Sequence, residues 1–306
     1  MQRGFVFLPV AKNSGIQMIM SALFSLLLMG ASDRSKILSA LSVATADALR
    51  EAVIYLPPDV KRAIERAAAN ETNPVAQGEF ANIVKNIALA EKLLVPLCQD
   101  TGVPVVYLTL PPDIPLTAGI FEAVAIGVRA ATQQIPLRPN VVDPLTRRNT
   151  GDNTGPGMPV VHVRPGKTCT VTVLPKGAGA ENVSRIAMLP PSQRYGIEGF
   201  VVETMLHAGG KSCPPVVLGV GIGSTFDGVA ALAKEALLLP VDDMTAFEQE
   251  ICNSVNRIGI GPMGLGGDTT ALAVKVRTAA CHTASLPVAV NVQCWANRRA
   301  TREVVW

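Results

Sequence analysis

The chain has 306 residues, of which 48% are hydrophobic, 4% aromatic and 17% charged, and its formal net charge is +3. This length allows one large domain or two smaller lobes, with enough apolar material for a sizeable core. A charged fraction below the usual quarter favours a surface that is partly covered by a partner. No basic stripe with interleaved aromatic residues is present, so nucleic acid is not an expected ligand. The short basic stretch at residues 298–302 fits a solvated C-terminus as well as it fits an anionic partner.

The first part of the chain has the apolar spacing of amphipathic helices. Apolar residues recur at three- and four-residue intervals, and the pattern predicts helices over residues 37–53, 59–70 and 75–94. Pro57 and Pro58 separate the first two, and Pro96 ends the third. We therefore expect an all-helical region over residues 36–97.

Residues 98–306 alternate between strand and helix patterns. Strands are predicted at 103–110, at 159–163 and 168–175 as a pair, at 214–223 running into a glycine turn, and at 270–279 and 286–294. Helices are predicted at 117–133 and 226–239. The polar loop at 138–159 is long, which is uncommon unless a loop binds something. The sequence thus predicts an α+β protein, with the N-terminal helical region followed by a mixed α/β lobe.

Six cysteines are present and none forms a CxxC pair. A chain with so large an apolar core does not need disulfides, so reduced thiols or metal ligands are the better expectation. Three cysteines follow or end predicted elements, where a side chain can reach a shared cleft: Cys98, Cys213 and Cys294. Taken without further evidence, all six cysteines are better explained as structural residues. Two others are predicted core residues, Cys169 in the middle of a strand and Cys252 in a helix. Cys281 stays ambiguous.

The glycine-rich stretches do not meet the nucleotide-binding fingerprints. Gly219, Gly221 and Gly223 follow a strand, but their spacing is GxGxG instead of GxGxxG. GPMGLGGDTT has Asp268 where a phosphate-binding loop needs lysine. Tight turns and close backbone contacts explain these glycines better.

Five stretches together resemble a known family. PLCQDTG, KGAGAEN, GGKSCPP, GIGPMGLGG and HTASLPVAVNVQC occur in this order. They resemble the α subunit of class I fumarases and L-tartrate dehydratases, which are iron–sulfur hydro-lyases. The resemblance runs from about residue 39 to the C-terminus, and PLCQDTG and the terminal cysteine are its most specific parts.

The resemblance implies a cofactor and a set of site residues. In that family three cysteines hold a 4Fe–4S cluster, and the matching positions are Cys98, Cys213 and Cys294. Three ligands leave one iron open, which acts as a Lewis acid on the substrate hydroxyl and carboxylate. The resemblance also implies catalytic roles for Asp100 and His282, and substrate binding by three residues: Gln99, Arg138 and Gly179. Asp100 is a natural proton donor or acceptor, and the guanidinium of Arg138 suits a substrate carboxylate.

Two departures from the family pattern bear on function. Asp268 stands where lysine is common, which leaves the role of that position in doubt. Single-chain fumarases carry a further domain that supplies a threonine base, and this chain stops at Trp306. The resemblance therefore implies a separate β subunit, without which the enzyme is inactive, and an assembly of two α and two β subunits.

Three functions remain open at this point. The first is the interconversion of fumarate and (S)-malate, and the second is the dehydration of L(+)-tartrate to oxaloacetate. The third is a non-catalytic scaffold that only stabilises its partner. The three cluster cysteines, together with Asp100 and Arg138, argue against a scaffold.

Residues 1–35 lie outside the resemblance, which assigns residues 36–306 to the catalytic domain. The apolar run at 16–31 is too short for a transmembrane helix, so no membrane association is expected. A signal peptide, an extra packed helix, or a true start at Met29 remain as readings. Because an oxygen-sensitive cluster needs a reducing compartment, we expect a cytoplasmic protein in which the residues before Met29 are dispensable.

Overall fold

The N-terminal part of the fold consists of helices. The computed structural model describes residues 31–306, so the predictions for the apolar run and for the start at Met29 lie outside the described residues. Three helices come first: α1 (Ala31–Ile54), α2 (Pro58–Asn70) and α3 (Pro74–Leu93). The Asn73 side chain caps α3 by accepting a hydrogen bond from the Val75 amide, at 2.9 Å. Leu94 ends this helix in the left-handed conformation, with φ 55°.

The first sheet has the strand order β2-β1-β3-β8. Its members are β1 (Val103–Leu110), β2 (Val160–Pro165), β3 (Thr170–Lys176) and β8 (Ala300–Glu303). β1 is parallel to β2 and antiparallel to β3, so the predicted pairing of the second and third strands is wrong. β1 is almost wholly buried and lies inside the sheet, next to β3, whereas β2 is half-exposed and forms an edge.

Helices cover the first sheet on one face. α1 packs with α4 (Ala118–Gln134) against the sheet, in a core that includes Leu41, Val124 and Val173. A Cβ at Gly127 would lie 2.4 Å from the Ser42 carbonyl oxygen, so only glycine lets these helices cross so closely. The other face of the sheet contributes to a second core with α2 and α3.

The second sheet has the order β4-β7-β5-β6. Its members are β4 (Arg185–Leu189), β5 (Val216–Ser224), β6 (Ala271–Cys281) and β7 (Leu286–Gln293). The short helix α5 (Ala178–Glu181) lies between β3 and β4 in the chain. Three longer helices pack against the sheet: α6 (Ile197–Ala208), α7 (Phe226–Ala236) and α8 (Ala246–Asn256). Helices and mixed sheets together confirm the α+β class.

The glycines of β5 lie in the strand predicted at 214–223, and the predicted turn follows at Gly223 and Ser224, where φ is 86° and 67°. β5 continues to Ser224, and α7 lies directly against it. A Cβ at Gly219 would come within 2.1 Å of the Ala233 carbonyl oxygen, and one at Gly221 within 2.3 Å of the Val229 carbonyl oxygen. Close helix–strand contact is therefore the reason for these glycines.

Within residues 31–306, no helix combines the length and the apolar character needed to cross a bilayer.

Candidate functional site

Two of the three predicted ligand cysteines lie at the same end of the second sheet. Cys213 precedes β5, and Cys294 directly follows β7. β5 and β7 are antiparallel, with Val217 opposite Gln293, so the start of one strand lies beside the end of the other. The Trp295 amide donates to the Cys213 carbonyl oxygen at 3.3 Å, which ties the two cysteine segments together.

Cys98 reaches the same region from the helical part of the chain. The Leu97 amide donates to the Val53 carbonyl oxygen at 2.9 Å, and the Asn86 side chain donates to the Leu97 carbonyl oxygen at 2.9 Å. These bonds fix the start of the Cys98 loop on α1 and α3. Two residues further on, the Asp100 carbonyl oxygen accepts from Arg298 Nη2 at 3.1 Å. That bond joins the Cys98 loop to the segment after Cys294.

The three thiols share one electrostatic environment. Burial raises the pKa of the Cys213 thiol, and the neighbouring charges of Cys294, Cys98 and Asp100 raise it further. Cys98 and Cys213 are exposed, while Cys294 is half-buried. Among the described residues, no three His, Cys, Asp or Glu side chains are close enough together to hold a single metal ion.

Cations surround Cys294. Burial raises the pKa of its thiol, whereas the charges of Arg298 and Lys176 act in the opposite direction. Lys176 is buried and donates to the Val292 carbonyl oxygen at 2.6 Å, with Glu181 as its ion-pair partner at 3.0 Å. Positive charge near a thiol favours the thiolate, which is the form that binds metal.

The basic stretch near the C-terminus is not a solvated tail. Arg298 is only 1% exposed. Arg299 forms an ion pair with Asp59, and Arg302 forms one with Glu51. The alternative of a solvated C-terminus is therefore wrong, because the chain continues into β8 and its arginines pack against earlier helices.

The Asp100 carboxylate organises the loop around it. It accepts hydrogen bonds from the Gly102 amide at 3.0 Å, the Ala178 amide at 2.9 Å and the Asn140 side chain at 3.4 Å. A Cβ at Gly177 would lie 3.1 Å from Asp100 Oδ2, so this glycine lets the chain pass close to the carboxylate. Asp100 therefore joins the Cys98 loop to the start of α5.

Two further predicted residues border this region. The Arg138 amide donates to Thr101 Oγ1 at 3.1 Å, which holds Arg138 beside the Cys98 loop. Its guanidinium is exposed and forms no ion pair with any described residue. At Gly179, a Cβ would lie 3.0 Å from the Lys211 carbonyl oxygen, so α5 closely approaches the turn that leads to Cys213.

The last two predicted site residues, Gln99 and His282, differ in their position relative to the three cysteines. Gln99 is exposed between Cys98 and Asp100. His282 follows β6 and precedes β7, so it lies at the opposite end of the second sheet from Cys294. β7 has eight residues, which at about 3.3 Å per residue places the two roughly 25 Å apart. The structure does not bring His282 to the cysteines of its own chain.

Cys169 and Cys252 belong to the core. Cys252 lies in α8 as predicted, and Cys169 directly precedes β3 instead of lying in its middle. Both thiols are buried, and burial raises the pKa of each to about 11. Neither side chain is available as an exposed ligand.

A supporting loop behind Cys213 escaped the sequence analysis. The buried Glu71 carboxylate accepts from the Asp268 amide at 3.0 Å and from the Thr269 amide at 3.3 Å. Asp268 in turn accepts from the Thr72 hydroxyl at 2.6 Å, which gives this unusual residue a structural role. The same loop packs against the turn before Cys213, where a Cβ at Gly264 would lie 2.7 Å from Gly210 Cα. No local sequence signal marks Glu71, because its partners lie almost 200 residues away.

Comparison with known proteins identifies the family. The family model "Fumarate hydratase (Fumerase)" matches residues 42–303. A protein of Methanocaldococcus jannaschii named "Putative L(+)-tartrate dehydratase subunit alpha" is 44% identical over 277 residues, covering 86% of this chain and 97% of its own length. The "L(+)-tartrate dehydratase subunit alpha" of Escherichia coli K12 is 32% identical over 256 residues, 80% of this chain and 84% of that protein. The chain belongs to the fumarate hydratase (fumerase) family, whose members named here are hydro-lyases.

A third relative differs in length. The "Putative fumarate hydratase class I" of Geobacillus stearothermophilus is 36% identical over 262 residues, which cover 80% of this chain and 51% of the relative. This chain therefore matches about half of that protein and nearly all of the M. jannaschii subunit.

Proposed function

We propose that this chain is the cluster-binding α subunit of a 4Fe–4S-dependent hydro-lyase that interconverts fumarate and (S)-malate. The observation that carries the proposal is the convergence of the loops of Cys98, Cys213 and Cys294. The Trp295 amide joins the Cys294 segment to the Cys213 carbonyl oxygen, and Arg298 joins it to the Cys98 loop through the Asp100 carbonyl oxygen. Cys169 and Cys252, in contrast, are buried in the hydrophobic core and are not exposed for ligand binding.

The residues present fit such a cluster. Each thiolate of a cubane cluster binds a different iron, so the three sulfurs lie farther apart than the ligands of one ion. The charges of Cys98 and Cys294 both act on the Cys213 thiol, which supports a site shared by the three residues. Arg298 also has buried N–H donors without partners among the described residues, as expected beside an anionic group. When bound, a cluster with three protein ligands supplies an open iron, which is a Lewis acid for substrate oxygen.

The side chains around the cysteines supply the remaining chemistry. The exposed guanidinium of Arg138 binds a substrate carboxylate through its planar fork. We assign substrate orientation to the exposed side chain of Gln99 and to the backbone of Gly179. Asp100 holds or releases a proton next to them, from a carboxylate whose position is fixed by two backbone amides.

A separate β subunit completes the enzyme. The two subunit relatives bear the word alpha in their names, and the G. stearothermophilus relative is about twice as long as the matched region. We place the chain in an assembly of two α and two β subunits. In this assembly His282 serves the cluster site of another chain, because it lies roughly 25 Å from Cys294 of its own chain. The exposed thiols favour a reducing compartment, and we propose the cytoplasm.

Dehydration of L(+)-tartrate to oxaloacetate is the second candidate. It is favoured by the names of the M. jannaschii and E. coli relatives, which match this chain over most of their own length. The two substrates differ by one hydroxyl group, and the same Arg138 and Asp100 serve either of them.

Anaerobic assay of the co-expressed α and β subunits tests the proposal. We expect turnover of fumarate, (S)-malate or L(+)-tartrate by the wild-type pair, and none by Cys294→Ser. The matched control Cys252→Ser should keep activity, because Cys252 is a core residue. A wild-type pair that carries a cluster but turns over none of the three substrates would contradict the proposed reaction.

Mixing two inactive α variants tests the position of His282. Co-expression of His282→Asn and Cys294→Ser α chains with β should restore part of the activity, because one site of each mixed assembly is intact. Mixed assemblies that stay inactive would show that His282 does not act on another chain.

A further inference from the structure

Arg298 stands out among the buried charges. It is the largest of the fully buried side chains in residues 31–306, and it is 1% exposed. Its Nη2 donates to the Asp100 carbonyl oxygen at 3.1 Å, but Nε and Nη1 have no hydrogen-bond partner in the described part of the chain. No carboxylate of residues 31–306 forms an ion pair with it.

The neighbouring cations are balanced in the usual way. Lys176 has Glu181 as its ion-pair partner, and Arg299 has Asp59. A buried charge without a partner is costly, and so is each buried N–H donor that makes no hydrogen bond. Arg298 therefore lies at a place built for an anion that no described side chain supplies.

The position of Arg298 indicates which anion this is. It lies four residues after Cys294, and its amide donates to the Ala296 carbonyl oxygen at 2.8 Å, which the Cys294 thiol also contacts at 3.8 Å. Through Asp100 it also contacts the loop that carries Cys98. Three thiolates and the inorganic sulfides of a cluster form an anionic unit at this point, and sulfur accepts hydrogen bonds from N–H groups that tune a cluster.

We propose that Arg298 is a positioning residue that donates from Nε and Nη1 to the anionic thiolate–cluster unit and, through Nη2, holds the Asp100 backbone against it. The inference rests on the proposed cluster and adds a residue that balances its charge. It assigns one side chain to two tasks, which are retention of the cluster and placement of the proton-transferring loop.

Three variants test this role: Arg298→Met, Arg298→Lys and the matched control Arg299→Lys. Each is expressed with the β subunit and reconstituted anaerobically. The readouts are the rate of iron release to a chelator, the reduction potential of the cluster, and the thermal unfolding of the cluster-free protein. Wild-type protein that fails to bind a cluster would refute the proposed function itself, separately from this inference.

We expect Arg298→Met to release iron roughly 10- to 100-fold faster than wild type and to shift the potential to a more negative value, because a cation that favours the reduced cluster is lost. The cluster-free Arg298→Met protein should unfold at or above the wild-type temperature, since an unbalanced buried charge is removed. Arg299→Lys should match wild type in iron release and potential.

Two results would overturn the inference. One is a cluster-loaded Arg298→Met protein with wild-type iron release and potential; the other is an unchanged cluster with only a raised KM, which would make Arg298 a substrate ligand. If Arg298→Met does not fold, Arg298→Lys decides the question. Lysine keeps the charge but not the fork, so iron release should rise while the potential stays close to wild type. Slow, wild-type iron release in this variant would also refute the role of the N–H donors.

Discussion

Variants of Asp100 and of its neighbour Asn140 distinguish a catalytic role of the Asp100 carboxylate from a structural one. Its carboxylate accepts bonds from the Gly102 amide at 3.0 Å, the Ala178 amide at 2.9 Å and the Asn140 side chain at 3.4 Å. In Asp100→Asn, the amide nitrogen replaces one oxygen acceptor and leaves one of these donors without a partner. The free energy of unfolding should fall by about 1–3 kcal/mol. If Asp100 also moves a proton, kcat should fall by roughly 100-fold with the cluster intact.

Asn140→Ala is the matched control for this prediction. It removes the donors to Asp100 Oδ1 and to the Gly102 carbonyl oxygen, at 3.4 and 3.0 Å, while the carboxylate remains. The loss of stability should be similar, but kcat should stay within about tenfold of wild type. Urea unfolding, iron content and anaerobic kinetics measure the three quantities. If both variants lower kcat by the same factor, Asp100 only organises the loop.

Three more predictions follow from individual side chains. In cluster-free protein at pH 8, iodoacetamide should modify the exposed Cys98 at least about tenfold faster than Cys252. Burial raises the pKa of the Cys252 thiol to about 11 and so keeps it protonated. Equal rates of modification, measured by peptide mass spectrometry, would contradict the assigned burial. Glu71→Gln should lower the free energy of unfolding by about 1–3 kcal/mol in urea, since one of its two acceptor oxygens is lost; an unchanged midpoint would show that this loop needs no such anchor. Arg138→Lys should raise KM about tenfold or more at constant iron content. The control is Arg147→Lys, at another exposed arginine of the same polar loop; an unchanged KM in Arg138→Lys would remove Arg138 from substrate binding.

The local elements of this fold were predictable because they depend on local patterns. The spacing of apolar residues gave the helices at 37–53, 59–70 and 75–94, which lie within or close to α1, α2 and α3. The β-branched run at 103–110 coincides with β1. Element type follows from periodicity, which a single sequence displays.

The pairing of strands was not predictable from the same information. The strands near residues 160 and 170 follow each other closely, yet β1 lies between them. The position of a strand in a sheet depends on how much of the strand is buried. A strand that is apolar on both faces lies inside the sheet, as β1 does. The close backbone approach expected at the β5 glycines is confirmed, but its partner was not predictable, because the helix that they accommodate lies later in the chain.

The supporting residues of the site depend on distant contacts. Glu71 anchors a loop almost 200 residues away, and Arg298 contacts Asp100 across a similar separation. In the sequence, Arg298 is one of several basic residues near the C-terminus, and its burial is visible only in the folded chain. The cysteines that we propose as ligands, in contrast, stand in short motifs that resemble a family.

Iron and sulfide analysis after anaerobic reconstitution tests the central claim most directly. Wild-type protein should bind about four iron and four sulfide per chain, and each of three variants should lose them, because hydroxyl oxygen is a poor substitute for thiolate: Cys98→Ser, Cys213→Ser and Cys294→Ser. Cys169→Ser and Cys252→Ser should keep the full content. Loss of the cluster in Cys169→Ser with retention in Cys294→Ser would contradict the account.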